Sequence, residues 1–382
     1  MAGNIVVQYE PTPDNPRNSE GAFITLRRPD GGTRVMFAYT RFTGGRDDAA
    51  TADIAEIHSD DGGKTWSDPV IIVPNRGEVN TMSVSLLRMN DGRILFCYLT
   101  KDGIHGWPHG NCRPWVCFSS DEGATWTEPK LITQVPGYYV QNNDRIIQLS
   151  DTHPVAPGRL IAPQSFHRLT GYEPEIEKFH FTSSIVIWTI SDDGGETWRE
   201  AKTWWAIPVP SGSGLQEPGV IERPNGKLYG WARSDTGYQW TTESGDGGET
   251  WAPFQPERTF MSPNSPLCMK RIPGTDRLLV IWNDRSDRWD IGTPDKWTWD
   301  RTPLTSAISD DNAATWTRHH LIEDDPKHGY CYTAIHFLSA EEAHENESFV
   351  LLAYCAGGEE TKGVLNRLRM RRIPLSWFTA ES

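Results

Sequence analysis

The sequence predicts an all-β fold: a six-bladed β-propeller with four-stranded antiparallel blades, the last closed by the N-terminal strand. A single domain would span residues 1–382. Three observations predict it. An eight-residue pattern occurs five times, as Ser59-Asp-Asp-Gly-Gly-Lys-Thr-Trp66, Ser119-Ser-Asp-Glu-Gly-Ala-Thr-Trp126, Ser191-Asp-Asp-Gly-Gly-Glu-Thr-Trp198, Ser244-Gly-Asp-Gly-Gly-Glu-Thr-Trp251 and Ser309-Asp-Asp-Asn-Ala-Ala-Thr-Trp316. Such a repeat marks a copied supersecondary unit that cannot bury its apolar face alone. The 17 Trp, 34 Gly and 27 Pro suit many short strands joined by turns. Upstream of each copy, alternating apolar runs flank a turn.

The units follow in order. The first has runs at 22–26 and 34–39 around Pro29-Asp30-Gly31-Gly32, and the second at 82–89 and 94–99 around Asn90-Asp91-Gly92. The third has 145–149 and 159–162, the fourth 219–222 and 228–232 around Pro224-Asn225-Gly226, and the fifth 267–272 and 278–282 around Pro273-Gly274-Thr275. A third strand then enters each eight-residue pattern, which reads as the hairpin turn into a fourth. Its Asp accepts backbone N–H groups, Gly supplies positive φ, and Trp packs between neighbouring sheets. The last copy has Asn312 and Ala313 where most others have Gly, and Asn tolerates left-handed geometry. The sixth unit supplies three strands, at 332–337, 349–354 and 367–373, before the chain ends. Segment 5–9 would complete it and remove both free edges. This order puts the starts of the inner strands, near Glu20, Asn80, Asn143, Glu217, Asn264 and Tyr330, around a central funnel. The loops from second to third strands surround the same funnel, the natural ligand site.

Composition narrows the function. A net charge of −14 argues against a nucleic-acid partner, which needs clustered Lys and Arg. It leaves small substrates open, since a basic pocket can sit on an acidic body. No apolar run of about 20 residues predicts a membrane span. The N-terminus shows no secretory signal, so the sequence as given reads as cytoplasmic, or as secreted or periplasmic if a signal has been removed. Cys97, Cys112, Cys117, Cys268, Cys331 and Cys355 are scattered and read as reduced, packed thiols. His105, His109 and Cys112 invite a metal reading. Gly106 and Pro108 leave their spacing without fixed geometry, so no metal and no cofactor is expected. Trp107 in the same loop reads as a sugar-stacking surface.

The five repeats are Asp boxes, or BNR repeats, and through them the chain resembles the sialidase (neuraminidase) superfamily over nearly its whole length. Gln216-Glu217-Pro218-Gly219-Val220-Ile221-Glu222, followed by Gly230-Trp231-Ala232-Arg233, looks like the family segment in which a catalytic Glu opens an inner strand and a substrate-binding Arg ends the next. The resemblance thus implies Glu217 as catalytic base and Arg233 as a binding residue. Gly329-Tyr330-Cys331-Tyr332-Thr333-Ala334-Ile335 is similar to the segment of the nucleophilic Tyr. Tyr330 is the better match, and Tyr332, on the same strand face, is the alternative. A Tyr–Glu pair attacks as a neutral nucleophile, which a substrate carboxylate does not repel. Counting five residues back from Asp53 implies Asp48 as general acid, with Asp47 beside it. Arg271 is the nearest candidate for a further binding Arg. Lys270 faces the opposite side, and Arg285 competes with Arg271.

One departure bears on substrate. The family opens its first inner strand with an Arg that binds the substrate carboxylate, whereas this chain reads Ser19-Glu20-Gly21-Ala22. Glu20 would repel an anionic sugar there unless Arg41 or Arg46 compensates. The resulting expectation is an exo-acting, retaining glycoside hydrolase on a carbohydrate other than an ordinary sialic acid, with Asn143 and Tyr332 among the binding residues. A polysaccharide lyase on uronic-acid glycans and a non-catalytic carbohydrate-binding propeller are the alternatives.

Overall fold

The computed structural model describes residues 2–103, 110–173, 175, 178–181 and 183–381. Strand β1 (Asn4–Tyr9) precedes a first antiparallel sheet of β2 (Arg17–Arg27), β3 (Thr33–Phe42), β4 (Ala52–Ser59) and β5 (Val70–Val73). A second unit contains β6 (Asn80–Arg88), β7 (Ile94–Asp102), β8 (Asn111–Ser119) and β9 (Lys130–Leu131). Strand β10 (Tyr138–Val140) lies parallel to β8. A third unit contains β11 (Ile147–Gln148), β12 (Leu160–His167), the separate hairpin β13 (Leu169–Glu173) and β14 (Lys178–Phe181), then β15 (Ile185–Ser191) and β16 (Arg199–Glu200). Two further four-stranded sheets follow: β17 (Gln216–Glu222), β18 (Leu228–Arg233), β19 (Tyr238–Ser244), β20 (Gln255–Met261); and β21 (Cys268–Arg271), β22 (Leu278–Trp282), β23 (Leu304–Ser309), β24 (Thr317–Glu323). The last sheet is ordered β1–β27–β26–β25, with β25 (His328–Leu338), β26 (Phe349–Gly358) and β27 (Leu368–Pro374). The N-terminal strand therefore pairs beside the C-terminal one. The chain is all-β, with several four-stranded antiparallel sheets.

Two differences from expectation have local causes. The second and third units are not separate sheets, because β10 hydrogen-bonds to both. The inner strand of the third unit keeps only two paired residues, β11. Just before it, Asp144 turns left-handed and its N–H bonds the Val84 carbonyl of the neighbouring unit instead. Strands at the funnel end also run longer than their apolar runs suggest. They continue as buried polar segments such as Arg17–Glu20, where Ser83 of the neighbouring sheet donates to Glu20 and Asn18 N–H meets the Asn366 carbonyl.

Apolar side chains fill the seams between successive units. Ile24 and Ile54 meet Val84 and Phe96; Leu95 and Val116 meet Leu160; Trp188 meets Trp240 and Trp251. Trp231 meets Met269 and Val280; Ile281 meets Ile335 and Leu352; Phe23 and Ile57 meet Leu351 and Met370. The Asp boxes are turns of one design. In the first, Asp61 Oδ1 accepts Thr65 N at 2.9 Å, Thr65 Oγ1 donates to Asp61 Oδ2 at 2.6 Å, and Ser59 Oγ accepts Gly63 N at 2.9 Å. The other four repeat the Ser–Asp–Thr bonds. Asn312 and Ala313 adopt φ of 63° and 69°, so the glycine-free copy keeps the left-handed turn. Trp251 stacks on Trp188 at 4.3 Å and 7°, a contact worth about 0.5–1.5 kcal/mol beyond burial.

Candidate active site

One backbone device aims the functional side chains. In four inner strands the ladder slips by a bulge, between Ser19 and Ala22, Met82 and Ser85, Gln216 and Gly219, and Cys331 and Ala334. At each slip a non-glycine residue is left-handed: Glu20 (φ 56°), Ser83 (55°), Glu217 (48°) and Tyr332 (58°). Left-handed backbone costs an L-residue roughly 1–2 kcal/mol. A bulge re-aims the side chain it carries. All four of these side chains line one cavity of about 240 Å³, together with Asp48, Lys101, His167 and Arg233.

Glu217 is the hub of one side. Tyr332 Oη donates to Glu217 Oε1 at 3.0 Å, and Arg233 Nη1 lies 3.0 Å from Glu217 Oε2. Arg233 is steadied by Gln216 Oε1, at 2.8 and 3.1 Å, and approaches Tyr332 Oη at 3.4 Å. Burial, then the Glu217 charge, pushes the Tyr332 phenol well above its ordinary value, against Arg233 and Arg301. Tyr332 is thus a neutral phenol with its proton already directed at a carboxylate. The Arg301 guanidinium stands 5.5 Å from the Tyr332 ring centre, held by Cys331 Sγ at 3.1 Å and the Asn264 carbonyl at 3.1 Å.

Two carboxyls and two cations make the other side. Arg17, buried over the Phe42 ring, reaches Asp48 Oδ1 at 2.6 Å and Glu20 Oε1 at 3.3 Å. Ser83 Oγ donates to Glu20 Oε2 at 3.3 Å. Lys101 Nζ and Asn80 Nδ2 hold the Asp48 carbonyl at 3.0 and 2.8 Å, fixing the β3–β4 loop. The Asp48 side chain is 63% exposed; partial desolvation against the cavity wall acts to raise its carboxyl, but Arg17, Lys101 and Arg233 outweigh this and hold it below the usual carboxylate range. Glu20 goes the other way. Burial, only partly opposed by Arg17 and reinforced by Asp48, raises it to about 7. His167 is lowered to about 4 by burial and by Arg233 and Lys101, so it is neutral at pH 7.

The predicted residues divide accordingly. Asp48, Glu217, Arg233, Glu20 and Tyr332 meet at the cavity. Tyr330 does not: its ring is 1% exposed and packs edge-on to Tyr354 among core residues, because the bulge after Cys331 turns the next side chain inward instead. Asn143 is fully buried off the cavity, where its Nδ2 ties the Gly21 and Tyr332 carbonyls together. Arg271 sits at the far end of β21 and serves the Glu222 carbonyl and Asp276. Arg46 is exposed, and it is its carbonyl, not its side chain, that meets Arg17. Trp107, His105 and His109 lie outside the described residues. Among the described residues no group of three or more His, Cys, Asp or Glu could hold a metal, and no helix is long and apolar enough to cross a membrane. Arg17, Lys101 and Arg301 were not anticipated. Arg17 lies three residues before Glu20 on the same strand, a signal present in the sequence; Lys101 and Arg301 have no local motif.

Comparison with known proteins agrees with this architecture. A family model described as a BNR repeat-like domain matches residues 34–342. A sialidase of Bacteroides fragilis is 23% identical over 344 residues, covering 81% of this chain. The match takes in 56% of that relative, so the chain spans little more than half its length. Among solved structures, the leech intramolecular trans-sialidase, complexed with 2,7-anhydro-Neu5Ac, superposes with a TM-score of 0.70 at 15% identity, over 99% of this chain and 71% of that one. The intramolecular trans-sialidase of Ruminococcus gnavus, complexed with oseltamivir carboxylate, gives 0.68 at 14% identity, over 100% and 99%. At these identities the likeness is one of fold.

Proposed function

The chain belongs to the BNR repeat-like domain family of the sialidase superfamily, and from that premise we propose that it is a retaining, exo-acting glycoside hydrolase. The observation that carries this reading is the bond from Tyr332 Oη to Glu217 Oε1 at 3.0 Å inside the shared cavity. Glu217 takes the phenol proton as Tyr332 Oη attacks the anomeric carbon, giving a glycosyl-tyrosine. Arg233 orients Glu217 and offers a cation to the substrate. In the second step water replaces Tyr332, and Arg301 stabilises the departing phenolate. The architecture proposed with this chemistry is a closed six-bladed propeller, supported by the six apolar clusters between successive units and by β1 completing the last sheet. A cavity of about 240 Å³ suits a single terminal sugar and supports exo action.

The substrate in this reading is a sugar other than an ordinary sialic acid. Glu20 occupies the first inner strand, and the nearest Arg, Arg17, is already spent on Glu20 and Asp48. The substrate is neutral, or carries its charge against Lys101 and Arg233. A panel of 4-methylumbelliferyl glycosides that includes the α-sialoside tests the proposal. Turnover of at least one member, lost by about 10³-fold or more in Tyr332→Phe and kept in Tyr330→Phe, is the expected result. Undiminished turnover in Tyr332→Phe would sink it.

A further inference from the structure

Two cations line the cavity, Lys101 and Arg233, and they differ in what they hold. Arg233 is engaged within the protein: its Nη1 lies 3.0 Å from Glu217 Oε2, and Gln216 Oε1 accepts from Nε and Nη2. Lys101 Nζ donates to the Asp48 carbonyl at 3.0 Å, a neutral group, while the Asp48 carboxylate goes to Arg17 at 2.6 Å. Tyr138 beside it is a neutral phenol, raised mainly by burial. Among the described residues no carboxylate makes a close ion pair with Lys101, although the residue is only 7% exposed. A buried ammonium is costly unless an anion meets it. Burial acts to lower it, but Tyr138 and Asp48 outweigh burial, so Lys101 is a cation at neutral pH.

A second buried polar group of the cavity wall lacks a partner. Asn142, just after β10, lines the cavity and is 2% exposed. Its Oδ1 accepts the Asn143 N–H at 2.8 Å, which orients the amide, and its Nδ2 donates to no described residue. Buried donors of this kind call for an acceptor. The place of Lys101 in the fold decides which part of a sugar it meets. Tyr332 lies on the last sheet and Lys101 on β7 of the second unit, and the first sheet packs between the two. A sugar with its anomeric carbon at Tyr332 reaches Lys101 only with the far side of its ring or a substituent there.

We propose that Lys101 determines substrate specificity: it receives an anionic group, a carboxylate or a sulfate ester, that the terminal sugar carries on a carbon away from the anomeric centre. Asn142 supplies a further donor to the same sugar. Resting on the glycosidase reading above, the substrate class is a uronic-acid or sulfated glycoside, neither a neutral sugar nor one with a carboxylate on its anomeric carbon.

Calorimetric titration of the wild type with free sugars tests this without turnover. The probes are galactose and glucose, their uronates, their 3-, 4- and 6-sulfates, and N-acetylneuraminate. At least one acidic hexose should bind about 10–100-fold more tightly than its neutral counterpart, the range for a hydrogen bond to a charged group. Uronates ahead of sulfates identify a carboxylate, and the reverse order a sulfate ester. Lys101→Met, similar in length but uncharged, should bring the acidic and neutral affinities to within about threefold of each other, and Lys101→Arg should keep them apart. If Lys101→Met fails to fold, a crystal structure of the wild type with the tightest sugar serves instead and should show its anionic group on Lys101 Nζ. The proposal is overturned if no acidic hexose outbinds its neutral counterpart, if the preference survives in Lys101→Met, if the anionic group sits on Arg233 alone, or if N-acetylneuraminate binds most tightly. Absence of turnover of every glycoside of the tightest sugar would overturn the glycosidase reading and leave the charge selection standing, which separates the two failures.

Discussion

At the scale of single residues, burial and unequal sharing of one cation set the chemistry. Glu20 is raised to about 7 by burial, with Arg17 unable to compensate fully. A carboxyl whose folded pKa exceeds its unfolded one binds more protons in the folded state. Its destabilising effect therefore grows as pH rises from the ordinary Glu value of about 4.3 toward 7 and is constant above that. Glu20→Gln should accordingly match the wild type in stability at pH 4 and exceed it at pH 8 by up to about 4 kcal/mol, at 1.36 kcal/mol per pKa unit. Urea unfolding at the two pH values measures this; an equal difference at both would show that Glu20 does not titrate as described. The placement of Glu217 and Arg233 at the cavity was legible in the sequence because both sit at ends of well-marked strands. Which of Tyr330 and Tyr332 faces the cavity was not legible, because strand alternation puts residues two apart on one face, and alternation fails across a bulge. The discriminating sign was a small residue two positions on, at Ala22, Ser85, Gly219 and Ala334, where each ladder resumes. A Cβ at Gly219 would meet the Trp231 ring at 2.2 Å, so the need there is steric.

At the scale of elements, the bulges trade stability for aim. Backbone strain of this kind gathers where side chains must converge on a ligand. Ser83 offers a test away from the proposed reacting groups. Its φ of 55° suits glycine, and its hydroxyl makes one long bond to Glu20. Ser83→Gly should therefore change stability by less than about 1 kcal/mol, in either direction, because relief of strain offsets the lost bond. Ser83→Val, β-branched at a left-handed position, should lose about 1–3 kcal/mol. Equal stability of the Gly and Val variants in thermal unfolding would remove strain from the account. The Asp boxes were readable because every contact they make is local. Strand β10 was not, because its partners, β8 and β12, belong to different units and no short-range pattern encodes such a bridge.

At the scale of the molecule, the ends of the chain meet. β1 pairs with β27, Arg371 Nη1 donates to the Ala2 carbonyl at 2.9 Å, and Arg371 Nε joins Glu323 and Tyr354 Oη at 2.8 and 3.0 Å. Removing residues 2–9 would strip β27 of its outer partner and leave an open strand edge, the usual template for aggregation. The truncated chain should unfold at least about 5 °C lower and associate at concentrations where the full chain does not; an unchanged melting temperature and elution volume would deny β1 that role. The same convergence builds the site, since Glu20, Glu217 and Tyr332 come from three different sheets. The central claim, that Tyr332 is the nucleophile with Glu217 as its base, is tested most directly by trapping the enzyme with an activated fluorinated glycosyl fluoride of a sugar it hydrolyses. Digestion and mass spectrometry should then locate one glycosyl adduct on Tyr332, absent in Tyr332→Phe; an adduct on Tyr330 or on a carboxylate such as Asp48 would contradict it.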